Sequence, residues 1–140
     1  MATTVQPYLF FNGRADEALA FYKKTLGAEA GMVMRFKENP GGKEHNPPGS
    51  DDKVMHMEFK VGGQSIMGSD GHTWGATNFQ GFALAIGVDD VERAKKMYSA
   101  LLGDGGSAQM PAGETFFAKW FGMVTDKFGV GWMLMAGAKQ

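Results

Sequence analysis

The chain contains no cysteine in 140 residues. That excludes disulfides, a thiolate nucleophile and any cysteine-ligated zinc or iron–sulfur centre. It also suits a reducing compartment, so a cytoplasmic location is expected. A surplus of either charge is lacking too: 14 Lys and Arg stand against 15 Asp and Glu, for a formal net charge of -1. There is no basic excess for nucleic acid and no acidic tail, so no nucleic-acid partner is expected. No apolar run approaches the ~18 residues a membrane span needs, and no basic-then-apolar leader opens the sequence. No membrane association is expected either. Also missing are a P-loop, a Gly-x-Ser-x-Gly elbow and a His-Glu-x-x-His pair. What remains is 44% hydrophobic and 21% charged, a globular composition, with 21 Gly for turns and 11 Met for adaptable packing.

Val5 to Phe11 reads as a strand and Asn12-Gly13 as a turn. Ala15, Ala18, Leu19, Tyr22 and Leu26 recur at helical spacing, and Gly27 stops the helix. Met32 to Lys37 is a second strand. Glu38 to Asp52 is Pro, Gly and charge, a mobile loop. Val54 to Val61 alternates, Gly62-Gly63 supplies a two-residue turn, and Gln64 to Ser69 returns. Asp70 to Gln80, with Trp74, reads as a linker whose tryptophan folds over a cleft, a partner or the core edge.

The second half repeats the order. Phe82 to Val88 is a strand, Asp89 caps a helix with Glu92 at its third position, and Val91, Ala94, Tyr98, Leu101 and Leu102 form the buried face before Gly103. A short strand near Ser107 to Met110 follows. Then Phe116 to Thr125 and Val130 to Ala136 form a hairpin around Asp126 to Gly129. An offset of 76 residues aligns Ala18 with Ala94, Tyr22 with Tyr98, Leu26 with Leu102 and Gly27 with Gly103. The pattern predicts one domain over 1–140, with modules at about 4–70 and 81–137 joined by a linker at about 71–80.

The motifs Pro7-Tyr8-Leu9-Phe10-Phe11, Ala18 through Phe21-Tyr22, Leu26-Gly27-Ala28-Glu29 and Val124 to Trp132 resemble the vicinal oxygen chelate superfamily, the glyoxalase/bleomycin-resistance/dioxygenase type. His56, Ile66-Met67 with Ser69-Asp70, and Glu114-Thr115-Phe116 resemble its PhnB-like branch. The resemblance implies an α+β fold of two βαβββ modules with curled mixed sheets forming a cleft. Homodimers are common in the family, so a homodimer is expected. Its metal ligands come from strands at positions placed here at Pro7, Met67, Ala83 and Met133. None of these is an ordinary donor for a hard divalent cation, so no metal and no other cofactor is expected. PhnB-like chains often carry a ubiquinone-methyltransferase label. The sequence has no Gly-rich strand-to-helix turn to hold S-adenosylmethionine or a dinucleotide.

Strand parity predicts what the open face holds. With Gly62-Gly63 as the turn, Glu58 lies opposite Met67, Lys60 opposite Ser65 and His56 opposite Ser69. Met55, Met57, Phe59, Val61 and Ile66 then pack on a helix. His56 is a candidate general base or hydrogen-bond donor, or a strand histidine paired with Glu58 or Asp70. Glu58 and Lys60 could form a surface ion pair. Glu114 is a candidate acid, or a residue that stabilises its loop. His45 and His72 are expected in solvent.

In the second half, a four-residue turn pairs Met133 with Gly122 and Met135 with Trp120. That turns Trp120 and Phe116 toward the ligand as an apolar wall, unless a bulge inverts the strand. The candidate ligand-binding set is His56, Met67, Ser69, Phe116, Trp120 and Met133, and the candidate catalytic set is His56, Glu58 and Glu114. The leading expectation is a protein that binds an unidentified small organic ligand. The alternative is a metal-independent enzyme using His56 with Glu58 or Glu114 as acid and base. A third possibility is an interaction module with a vestigial cleft.

Overall fold

The computed structural model describes residues 2–108 and 110–139. It divides the chain into two compact units, residues 1–77 and 78–140. The fold is α+β with two separate mixed sheets.

In the first unit, β1 (Tyr8–Phe10) leads into α1 (Ala15–Leu26), then β2 (Glu29–Arg35), β3 (Val54–Val61) and β4 (Gln64–Ser69). The sheet order is β1-β4-β3-β2, with β1 parallel to β4 and the rest antiparallel. The β3–β4 register is the one the Gly-Gly turn demands: Val61 pairs with Gln64, Lys60 with Ser65 and Glu58 with Met67. Met57 and Phe59 are fully buried, and Phe59 stacks on Tyr22 of α1 with ring centroids 5.7 Å apart. A one-residue slip would expose both, so hydrophobic burial fixes the register.

Helix α1 begins without a cap of its own. Arg14 at its N-cap makes no side-chain cap bond. Instead, buried Asp70 accepts from Gly13 N at 3.0 Å and Ala15 N at 2.8 Å through one oxygen. Its other oxygen accepts from Val54 N at 2.8 Å. One carboxylate thus ties the start of α1, the start of β3 and the end of β4 together.

The segment after β2 is the loop expected there. It has no strand between Glu38 and Asp52, but it is anchored at several points. Arg35 grips Asp16 through two bonds of 2.7 and 2.9 Å. Asn46 donates to Phe36 O, and Asn39 donates to Asn46. Phe36 is buried, with the rings of His72 and Trp74 against it. Trp74 therefore caps this aromatic cluster at the edge of the first unit.

The second unit has β5 (Leu84–Val88), α2 (Val91–Leu102), β6 (Ala118–Thr125) and β7 (Gly131–Ala138), in sheet order β5-β7-β6. It is a βαββ unit. The expected strand at Ser107 to Met110 is reduced to a single bridge, Ser107 to Thr125, joined by another from Gly113 to Phe121. Gln109 of that segment lies outside the described residues. The helix cap is Asp90, not Asp89: its carboxylate accepts from Glu92 N at 2.9 Å.

The β6–β7 register also differs from expectation. Met133 pairs with Met123 and Met135 with Phe121, while Trp120 pairs with Ala136 and Gly122 with Leu134. The cause is in the turn. Buried Asp126 accepts from Phe128 N and Val130 N through one oxygen and from Trp132 Nε1 through the other. These bonds draw Val130 into the loop, so pairing resumes only at Thr125–Gly131. The loop has one more residue than expected, and every side chain of β6 changes face relative to β7.

Candidate functional site

The open face of the first sheet is built by alternation. Leu9 and Phe11 are buried, so Tyr8 and Phe10 stand on the other side of β1. Tyr8 is the β1 partner of Met67, and Phe10 of Ser69. Across β4, Met67 meets Glu58 and Ser65 meets Lys60; on β2, Met34 meets His56 and Glu29 meets Lys60. This face therefore gathers Tyr8, Phe10, His56, Glu58, Lys60, Ser65 and Met67.

At its centre the Tyr8 hydroxyl and His56 Nδ1 are 3.0 Å apart, and both residues are half-buried. Two pairings are thus open to the proton. The tyrosine can donate to a neutral imidazole, or a protonated Nδ1 can donate to the phenolic oxygen. Ser69 is buried and its hydroxyl accepts from Gly71 N, which closes the turn after β4. Glu58 is half-buried and Lys60 exposed.

Of the expected residues, His56, Glu58, Met67 and Ser69 do share one face. Pro7 does not stand at the position expected for it: the neighbour of Met67 on β1 is Tyr8. In the second unit the neighbour of Met133 is Ala85, not Ala83. Ala15 of α1 lies 15 − 8 = 7 positions after Tyr8, but Val91 of α2 lies 91 − 85 = 6 positions after Ala85, so the 76-residue offset that aligns the helices misaligns the strands by one. Tyr8 was missed for that reason.

The second unit places its candidates apart from one another. Trp120 lies on the face opposite Met133, against Tyr98 of α2, with ring centroids 5.3 Å apart. Trp120 therefore does not join Met133 in the expected apolar wall. Phe121, Met123, Met133 and Met135 share the open face with Ala85 and Gly87. Phe116 is 91% exposed, stands before β6 and packs edge-on to Phe117. Glu114 is exposed and bonded to Lys139 Nζ at 2.6 Å. That bond, then the charge of Lys139, lowers the Glu114 pKa and holds it as a carboxylate.

A divalent metal, which the fold type implies, does not fit these residues. Around Met67 the donors are a phenol, one imidazole and one carboxylate that sits beyond the methionine; around Met133 they are thioethers alone, and the neighbouring Ala85 offers no donor atom. Among the described residues no group of three His, Cys, Asp or Glu converges on one point. No step through a metal is derived.

The family described as 3-demethylubiquinone-9 3-methyltransferase matches residues 3–135. Protein YjdN of Escherichia coli K12 is 37% identical over 97% of both chains. Among solved structures, protein PA1353 of Pseudomonas aeruginosa superposes with a TM-score of 0.83 at 36% identity, over 97% of this chain and 98% of that one. The PhnB protein of Bacillus cereus superposes with a TM-score of 0.79 at 28% identity, over 96% and 100%. A glyoxylase/bleomycin resistance protein/dioxygenase domain of Frankia, 18% identical and covered over 98% of both chains, shares the fold with a TM-score of 0.65.

The family description implies a methyl donor such as S-adenosylmethionine, and the residues do not fit one. Such donors are held by open, Gly-rich strand-to-helix turns. Here the Ala15 amide that opens α1 is occupied by Asp70, and the Glu92 amide in the first turn of α2 by Asp90. No methyl-transfer step is derived. No helix among the described residues is long and apolar enough to cross a membrane. With the family match, the relatives and the fold in agreement, the chain belongs to the PhnB-like family and has a glyoxalase-like fold.

Proposed function

We propose that this protein binds a small organic ligand without a divalent metal, on the open face of its first sheet around His56, Met67 and Tyr8. The observation that carries the reading is the Tyr8–His56 bond. A strand histidine that merely tolerates solvent needs no fixed partner. Here Nδ1 is engaged, so Nε2 is the nitrogen that can meet a ligand. The surrounding face offers apolar area from Met67 and Met34 with few, well-separated polar groups, the usual make-up of a binding surface. The methionine face of the second unit is suited to adaptable apolar contact of its own. The protein acts in the cytosol as a homodimer; the exposed outer strand β2 supports the second point, because a free edge invites pairing.

Native mass spectrometry of freshly purified protein tests the reading. A bound organic species is expected, lost in His56→Ala and retained in Lys37→Ala. One equivalent of nickel, zinc or iron per chain, lost on Met67→Ala, would overturn it. Turnover of that species, dependent on His56 and Glu58, would instead establish the acid/base enzyme. Glu114, already ionised and paired with Lys139, is poorly suited to be its acid. Light scattering at micromolar concentration should return twice the chain mass.

A further inference from the structure

Phe10, Tyr8 and His56 form a row of three rings on the open face of the first sheet. The centroids of Tyr8 and Phe10 are 5.0 Å apart with planes tilted by 39°. Those of Tyr8 and His56 are 5.5 Å apart, tilted by 34°. The two ends of the row differ. Phe10 is 53% exposed, and its ring edge lies over Gly71, where an added Cβ would stand 3.4 Å from it. The other end is polar and half-buried. The charged side chains of this face, Glu58, Lys60 and Glu29, sit further along the strands, with Met67 between Tyr8 and Glu58.

Building on the binding reading above, we propose that this row recognises a flat, conjugated ligand that carries an oxyanion. The ligand's ring lies over Phe10 and Tyr8 and its oxygen meets His56 Nε2. The rings supply a planar apolar shelf, and aromatic faces favour offset or tilted stacking on such a surface. The choice of oxyanion follows from counting protons. The Tyr8 hydroxyl has one proton. When it is donated to Nδ1, a neutral imidazole must carry its own proton on Nε2. When the imidazole is protonated, Nε2 again bears a proton. In both of these states, the first with Tyr8 donating to Nδ1 and the second with Tyr8 accepting from the Nδ1 proton, Nε2 is a donor, and a donor selects an acceptor oxygen. Charge on that oxygen strengthens the bond. Tyr8 is then a positioning residue that acts through His56.

The test uses the intact protein and two probes of the same shape, 4-nitrophenolate and nitrobenzene. Spectral titration should show saturable binding of 4-nitrophenolate. His56→Ala and Phe10→Ala should each weaken it at least tenfold. Tyr8→Phe keeps the ring and should weaken 4-nitrophenolate severalfold while leaving nitrobenzene unchanged. Nitrogen-15 spectra of the imidazole at about pH 8.5, where an ordinary histidine is neutral, should show the proton on Nε2 in the parent and a mixed population in Tyr8→Phe. A merely structural role for Tyr8 would not move that signature. Equal binding of 4-nitrophenolate by the parent and His56→Ala, or an unchanged tautomer in Tyr8→Phe, overturns the proposal. If the native species is lost in His56→Ala but 4-nitrophenolate does not bind, the ligand class falls and the binding reading stands. If neither binds, both fall.

Discussion

The two units share a plan and differ in chemistry. Each lays one sheet face on one helix, and each is clamped by one buried aspartate. Asp70 takes amides from Gly13, Ala15 and Val54, which are remote in sequence. Asp126 takes Phe128, Val130 and the indole of Trp132, all within six residues. The open faces diverge further. The first carries a hydrogen-bonded Tyr–His pair beside carboxylate, ammonium and hydroxyl groups. Between Thr125 and Lys119 the second carries Phe121, Met123, Met133 and Met135, with no ionisable side chain. The lesson is that the sheet-on-helix scaffold constrains only the buried face. The other face is free to vary, and in this chain its chemistry is concentrated in the first unit.

The sharpest way to break the parallel is through the clamps. Asp70→Ala leaves two buried amides, Ala15 and Val54, and the half-buried amide of Gly13 without an acceptor and unties segments far apart in the chain. A loss of about 3–6 kcal/mol is expected in urea denaturation. Asp126→Ala frees three buried groups that lie within one short loop, which can rearrange locally to re-pair them, for a smaller loss of about 2–4 kcal/mol. Asp70→Asn keeps the oxygen that serves Gly13 and Ala15 and should recover more than half of the deficit. If Asp126→Ala proved the more costly, the view of Asp70 as the long-range tie would fail.

Next in size is the packing on each helix. Phe59→Ala removes a fully buried ring from Tyr22 and should cost about 3–5 kcal/mol. In the second unit the tight place is Gly122, where an added Cβ would lie 2.7 Å from the Tyr98 ring and 2.9 Å from Trp120. Gly122→Ala is expected to destabilise by about 1–3 kcal/mol through overpacking. Gly122→Ala in a Tyr98→Leu background should recover part of that loss, because the obstructing ring is gone. His56→Ala, on the open face, should lower the melting temperature by far less than Phe59→Ala.

The sequence discloses this contrast unevenly. Helix α1 and the β3–β4 hairpin are legible to the residue, because Met57, Phe59 and Ile66 alternate with Glu58, Lys60 and Ser65 and the Gly-Gly turn admits one pairing. His56, Glu58 and Met67 therefore fall on one face from the sequence alone. Tyr8 does not, because the 76-residue offset favours Pro7 in its place, and Val5 to Phe11, apolar or aromatic nearly throughout, offers no polarity contrast to correct the parity. The face of Trp120 is lost for a different reason. It depends on three hydrogen bonds of Asp126 that lengthen a loop by one residue, a tertiary detail that leaves the hydrophobic pattern of β6 unchanged. The anchoring of the segment after β2 rests on Asn46 reaching Phe36 O and Arg35 reaching Asp52 O, which composition does not reveal.

The smallest expected effects come from the surface pairs, one in each unit. Lys37 lowers the pKa of Asp52 through its hydrogen bond and then its charge, and Lys139 does the same to Glu114. A carboxyl whose pKa falls on folding contributes stability that is fully present above its unfolded value and is lost as pH falls through the folded one. Both carboxylates are fully exposed, so solvent and salt screen the contribution heavily. Lys37→Ala and Lys139→Ala should therefore melt just below the parent at neutral pH. The difference should shrink in high salt and vanish once acid has protonated the carboxylates. Lys139 also reaches Thr115 O, while Lys139 N binds Phe117 O through the backbone and survives the substitution. The residues before β6 should thus stay in place in Lys139→Ala, and a melting curve at several pH values isolates the ion pair. A deficit that persisted unchanged in acid would show that Lys139 acts through Thr115 rather than Glu114. The two surface pairs would then cease to be equivalent.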